Sequence, residues 1–282
     1  MLLSAVPVDP TVEARVRALE LPFNDWGIDP YGIEQAELSR FFSALGFFYH
    51  KYFDVTVCGK ENIPSAGPGM VVGNHSGGIA IDAGMVIASC FFELSPPRLA
   101  QGMVDKFLGR LPGAAQVAPR VGQFPGIPEH AERFLQDDRL LMVFPEGHRG
   151  TAKLAKDAHS LVRFGTGFVR LALKTKAPII PVAFLGAGDA MPTIANFTGL
   201  GKLLGVPYIP ITKYLIPLPR PARFHLIYGE PIVFDGTGNE DDAIIGRYVE
   251  KVRSRIAHLI SEGERLRAGE ITEDQLKLGG EA

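Results

Sequence analysis

Neither sign of charge dominates this chain. Its 29 Lys and Arg residues stand against 31 Asp and Glu in 282 residues, a formal net charge of −2. A phosphate backbone demands a basic face, so the balance argues against nucleic acid as a partner. Cysteine is scarce as well. Cys58 and Cys90 are the only two, and their spacing suits no metal site. They read as small buried thiols in a reducing compartment. Long apolar runs are absent: FFSALGFFYHKYF and AGMVIASCFFEL meet polar or charged residues well before the ~20 residues that cross a bilayer. The N-terminus MLLSAVPVDPTVEAR lacks a basic start followed by a long apolar stretch, so no secretory signal is expected. Missing motifs exclude further classes. No G-x-S-x-G elbow marks a serine hydrolase, and no G-K-[ST] follows Gly77-Gly78 to make a nucleotide loop. These absences leave a soluble or membrane-peripheral protein, expected in the cytoplasm.

What is present suits a large core, with 46% hydrophobic and 21% charged residues. Residues 1–55 read as an N-terminal helical segment. Within it, Leu38, Phe41, Phe42, Leu45, Phe48 and Tyr49 recur at threes and fours, predicting a helix over 31–53. That aromatic face either packs on the core or touches lipid. Residues 56–282 alternate strand, loop and helix. FDVTVCG, GMVVGN, LLMVF (140–144), APIIPVAFLG (177–186) and FHLIYGEPI (224–232) read as strands. IDAGMVIASCFFEL, SLVRFGTGFVRLALKTK (160–176) and the long C-terminal EDDAIIGRYVEKVRSRIAHLISEGERLRAG read as helices, the last running from acids to arginines as the helix dipole favours. The rhythm predicts a single α/β domain with a mixed, largely parallel sheet flanked by helices. Residues 191–223 fit neither period and are expected to form an irregular apolar loop. With Lys202, Lys213, Arg220 and Arg223 among its apolar residues, that loop would dock on a membrane surface or cover an acyl chain, or else fold over the core.

Reactive groups gather at strand-to-loop junctions, where α/β sheets place their sites. In VVGNHSGGIAID, His75 follows Asn74 at the end of an apolar strand, and Asp82 stands seven residues on. A carboxylate on one imidazole nitrogen sets the tautomer and frees the other to act as a general base. Gly77 and Gly78 permit a bend, and their backbone N–H groups are placed to hold an oxyanion. In FPEGHRG, Gly147 and Gly150 allow close backbone approach to a ligand, Arg149 offers a forked donor, and Glu146 can accept from a hydroxyl. A zinc site from His75, Asp82, Glu146 and His148 lacks the i, i+4 histidine pair of metalloproteases, so no metal is expected.

The ordered set CGKENIPSAGPGMVVGNHSGG, FPEGHRG and APIIPVAF, over roughly residues 56–235, resembles the PlsC-type glycerolipid acyltransferase family. The resemblance implies an acyltransferase-type fold. It also implies fatty acyl transfer from acyl-CoA or acyl carrier protein to a hydroxyl of a glycerolipid such as a lysophospholipid, with no cofactor. His75 would be the base and Asp82 its partner. Asn74, Gly77, Gly78, Glu146, Gly147, Arg149 and Pro181 would bind substrate, at the cytoplasmic face of a membrane. Two features depart from the family pattern. Six residues, SGGIAI, separate His75 from Asp82 where four are usual. Gly126-Ile127-Pro128 falls where a basic residue normally grips the acceptor's phosphate, leaving Arg120 and Arg149 for that role. A neutral acceptor such as diacylglycerol is thereby more plausible than it would be with the full motif, and stands as an alternative to the lysophospholipid. Hydrolysis of a thioester or lipid, and lipid binding without catalysis, are the alternatives.

Overall fold

Seven short segments pair into one sheet whose central strands are hydrophobic along their length and buried on both faces. The computed structural model describes residues 3–75, 81–104, 113–203, 206–215 and 218–279. The strands are β1 (Asp54–Cys58), β2 (Gly69–Gly73), β3 (Ala100–Val104), β4 (Gln123–Pro125), β5 (Leu140–Val143), β6 (Ile179–Leu185) and, after a separate hairpin of β7 (Thr193–Phe197) and β8 (Ile209–Thr212), β9 (Arg223–Tyr228). Their order across the sheet is β1-β9-β6-β2-β5-β3-β4. Every neighbouring pair is parallel except β6 and β9. This is the mixed, largely parallel sheet expected from the strand–helix rhythm.

The helices are α1 (Pro10–Arg17), α2 (Gln35–Phe47), α3 (Ile81–Phe92), α4 (Ala114–Val117), α5 (Pro128–Gln136), α6 (His148–Thr151), α7 (Gly167–Thr175), α8 (Ala187–Ala190), α9 (Thr198–Leu203) and α10 (Asp242–Arg267). The aromatic repeat on α2 does face the core: Leu38 and Phe42 are fully buried, and Phe42 stacks on Phe91 of α3 at 3.7 Å. Truncating such a ring costs about 3–5 kcal/mol. The N-terminal helices therefore share one hydrophobic core with the sheet. Beyond Phe47 the helix loosens into a π-helical turn over Phe48–Tyr52, and Phe47 and Phe48 stand exposed.

Two expectations change. The helix predicted over 160–176 begins only at Gly167. Ahead of it, the Val162 N–H donates to Glu146 Oε2 at 2.9 Å and the Gly165 N–H to the Pro145 carbonyl at 2.9 Å, so these donors serve the FPEG turn instead of a helix. Residues 191–223, expected to be irregular, contain the β7–β8 hairpin with α9 between its strands. Pairing between segments more than ten residues apart leaves no local period to detect.

Pro181 lies inside β6, where a missing N–H is normally tolerated only at an edge or bulge. It sits at a bulge. Ile179 bridges Ile232 while Val182 pairs Tyr228, so the facing chain carries an extra residue, and Gly229 N–H donates to the Pro181 carbonyl at 2.8 Å.

Candidate active site

β2 delivers His75. Val71 and Val72 are buried in the middle of the sheet, and the backbone ladder to β6 ends with Gly73 opposite Val182. Asn74 then continues the ladder with its side chain: its Nδ2 donates to the Phe184 carbonyl at 3.1 Å, and its Oδ1 accepts from the Phe184 N–H at 2.8 Å. Both ends of this buried amide are thereby used by β6, so Asn74 fixes the strand end rather than facing a ligand. Gly73 is required here because a Cβ would come within 2.9 Å of Val182 Cγ1 and 3.2 Å of the Phe144 ring. Phe144, at the end of β5, stacks on the His75 imidazole with centroids 4.1 Å apart and planes 15° apart. That contact fixes the ring plane.

Asp82 enters from the first turn of α3, where the helix dipole favours a carboxylate. It is 1% exposed, and its Oδ2 lies 3.0 Å from His75 Nδ1. A carboxylate at this distance accepts a hydrogen bond from Nδ1–H and leaves Nε2 with the lone pair. The six-residue spacing thus still joins the pair. Gly77 and Gly78, expected in the oxyanion role, lie outside the described residues.

The FPEG turn follows β5. Gly147 adopts φ 57° and ψ −150°, a conformation that side chains strongly disfavour. Gly150, expected to approach a ligand, instead approaches His75: a Cβ there would sit 2.5 Å from His75 Cβ and 2.8 Å from Glu146 Cβ. Glu146 is 2% exposed and turned inward. Its Oε1 accepts from the His75 N–H at 3.0 Å and its Oε2 from the Val162 N–H. Glu146 is therefore a support beneath His75 and not the surface acceptor expected from FPEGHRG. Lys153, to which no motif pointed, completes the support with hydrogen bonds to Glu146 and to the His75 carbonyl.

Arg149 is exposed and makes no hydrogen bond or ion pair with the described residues. Arg120 lies 3.4 Å from Glu34 through its Nε, and its carbonyl accepts from the Glu34 N–H. That arginine is bound to the N-terminal segment. Pro181 pairs with Val72, three positions before His75, which puts it ~10 Å below the imidazole along the strands. It is a buried sheet residue, so its expected place in a substrate-binding surface is corrected.

The β7–β8 hairpin covers α6. Asn196 Nδ2 donates to the Ala152 carbonyl at 2.7 Å, and the Tyr208 hydroxyl bonds with Thr151. Burial pushes the Tyr208 phenol up, the Thr151 bond works against that, and the Asp82 carboxylate adds to it. Among the described residues, no three His, Cys, Asp or Glu groups come together to hold a metal ion.

Comparison with known proteins agrees with this geometry. The acyltransferase family model matches residues 54–185, which include β2, α3, the FPEG turn and β6. An uncharacterized protein of Mycobacterium tuberculosis is 33% identical over 244 residues, covering 82% of this chain and 68% of its own. The human protein named "DGAT1/2-independent enzyme synthesizing storage lipids" is 24% identical over 214 residues, covering 74% of this chain and 62% of its own. In fold, the chain is similar to the crystal structure of the 1-acyl-sn-glycerophosphate (LPA) acyltransferase PlsC from Thermotoga maritima. That likeness has a TM-score of 0.51 and 22% identity, and covers 78% of this chain and 77% of that one. The ordered motifs and the extent of the sequence match lead to one assignment: the chain belongs to the acyltransferase family whose model matches residues 54–185.

Proposed function

We propose that this chain transfers a fatty acyl group from a thioester donor, acyl-CoA or acyl carrier protein, to a glycerolipid hydroxyl, with His75 as general base. The observation that carries this reading is the 3.0 Å contact between His75 Nδ1 and the buried Asp82 carboxylate, at the C-terminal end of a central parallel strand. Nε2 accepts the proton of the acceptor hydroxyl, and that oxygen forms a bond to the thioester carbonyl carbon. Asp82 stabilises the imidazolium. The C–S bond breaks, the electron pair leaves on sulfur, and the imidazolium returns its proton to the thiolate. The step needs no covalent enzyme intermediate.

The acceptor is a neutral lipid of the diacylglycerol type. Two observations support this. Of the two arginines left to grip a phosphate, only Arg149 stands free of protein partners among the described residues, while Arg120 is held by Glu34. The animal relatives, of which this chain spans about 60% in length, carry a name that refers to storage-lipid synthesis.

The enzyme works at the cytoplasmic face of a membrane as a peripheral protein. No helix among the described residues is long and apolar enough to cross one. Exposed Phe47, Phe48, Leu215 and Leu218 support surface docking. The Tyr52 hydroxyl donates to the Pro219 carbonyl at 2.8 Å, joining the π-helical turn after α2 to the chain beside Leu218. Arg220 lies over the Tyr214 ring at 3.6 Å, placing a cation among these apolar groups.

The test follows thiol release from palmitoyl-CoA with and without dioleoylglycerol, monooleoylglycerol or oleoyl-lysophosphatidate, separating products by chromatography. Release that depends on the neutral acceptor is expected. Release without any acceptor would make the protein a hydrolase. Binding of lipid without release would make it a carrier.

A further inference from the structure

Lys153 is 6% exposed, and its ammonium is fully used. Nζ lies 2.5 Å from the His75 carbonyl, 2.9 Å from Glu146 Oε1 and 2.7 Å from Glu146 Oε2. Glu146 Oε1 in turn accepts from the His75 N–H at 3.0 Å. One buried ion pair thus grips both backbone polar groups of the same residue, the carboxylate on its N–H and the ammonium on its C=O.

This grip falls where the sheet stops supplying one. The β2–β6 backbone ladder ends at Gly73, and the Asn74 side chain extends it by one residue. His75 is the first residue with no strand partner, yet its backbone must be held for the imidazole to meet Asp82 and lie flat on Phe144. A buried ion pair is a weak source of net stability, because desolvating both charges offsets their attraction. Burial indeed presses the Lys153 ammonium toward its neutral form, with the Glu146 and Asp82 charges opposing that. An apolar pair of similar volume would serve the core at least as well but could bind neither backbone group.

We propose that Lys153 is a positioning residue for His75: with Glu146 it forms a charged clip that fixes the backbone of the base and so aims Nε2 at the acceptor. The clip makes the FPEG segment part of the base's mounting rather than a contact to the acceptor. The inference rests on His75 being the base.

The test uses the full chain with palmitoyl-CoA as donor and the acceptor panel above. Lys153→Met and Lys153→Ala remove the clip but strand a buried carboxylate. The double variant Lys153→Met/Glu146→Gln removes the ammonium's hold on the His75 carbonyl together with both buried charges, and keeps the side-chain volumes. Displacing a reacting group by about 1 Å costs ~10²-fold in rate. The double variant should therefore keep its fold by circular dichroism and lose about 100-fold in kcat, with KM for donor and acceptor within about twofold of wild type. Ethylammonium should restore at least tenfold of the kcat lost in Lys153→Ala and nothing in His75→Ala. A folded double variant with wild-type kcat would overturn the clip, as would a loss confined to KM. The underlying reading fails separately, if His75→Ala turns over as fast as wild type.

Discussion

Gly150 offers a sharp test that chemistry passes through His75, because its substitution displaces His75 and its support Glu146 while removing no functional group. In Gly150→Ala the new methyl would stand 2.5 Å from His75 Cβ and 2.8 Å from Glu146 Cβ, where ordinary contact begins at 3.4 Å. Both neighbours are Cβ atoms fixed to their backbones, so α6 and the strand end must part by about 0.9 Å. Overpacking of this size costs about 1–3 kcal/mol of stability. A misplacement near 1 Å costs ~10²-fold in turnover. The assay is acceptor-dependent thiol release from palmitoyl-CoA, measured beside thermal melting. The comparison variant is Gly246→Ala on α10, where a Cβ meets nothing within 4 Å. Replacing glycine inside a helix should raise its stability by roughly 0.5–1 kcal/mol and leave turnover unchanged. Gly150→Ala should lose about 100-fold in kcat while still folding. Wild-type turnover in a Gly150→Ala protein with lowered melting temperature would refute the reasoning, since His75 would have moved without consequence.

His75→Ala should lower acyl transfer by about 10²–10⁴-fold with an unchanged circular dichroism spectrum. Asp82→Asn should lose a comparable factor by freeing the wrong imidazole tautomer; near-full activity there would leave the 3.0 Å contact without a catalytic role. Arg149→Ala should leave transfer to dioleoylglycerol within about twofold and raise KM only for oleoyl-lysophosphatidate, since the forked guanidinium suits phosphate. Phe48→Ser/Leu215→Ser should reduce co-sedimentation with anionic vesicles at least severalfold, each position carrying an exposed apolar side chain; unchanged binding would remove the docking surface. Burial pushes the thiols of Cys58 and Cys90 up to about 12 from an ordinary 9.0. The folded state therefore holds these protons more tightly, so their contribution is complete below about pH 9 and is lost as pH rises toward 12. Urea unfolding from pH 8 to 11 should show that decline, and Cys58→Ala/Cys90→Ala should flatten it.

The apolar runs now called β2, β5 and β6 were legible in the sequence because a strand buried on both faces must be continuously hydrophobic. His75 and Asp82 were legible as candidates because functional groups in α/β folds cluster where such strands end. Asp82 reaches His75 despite the unusual spacing because it rides on the first turn of α3, a position set by that helix's packing. The roles of Glu146 and Lys153 depended on partners that no local pattern encodes. Glu146 stands in an exposed-looking turn, FPEGHRG, yet points into the core because the His75 and Val162 N–H groups and the Lys153 ammonium all converge on it. Periodicity likewise overran the start of α7, since Val162 and Gly165 give their N–H groups to the FPEG turn. It also missed the β7–β8 hairpin, whose strands meet across α9. Composition and order along the chain determined the fold class, the family and the candidate base, His75. Tertiary structure alone decided what holds that base in place, because every buried backbone group and charge must find a partner, and the partners lie far apart in sequence.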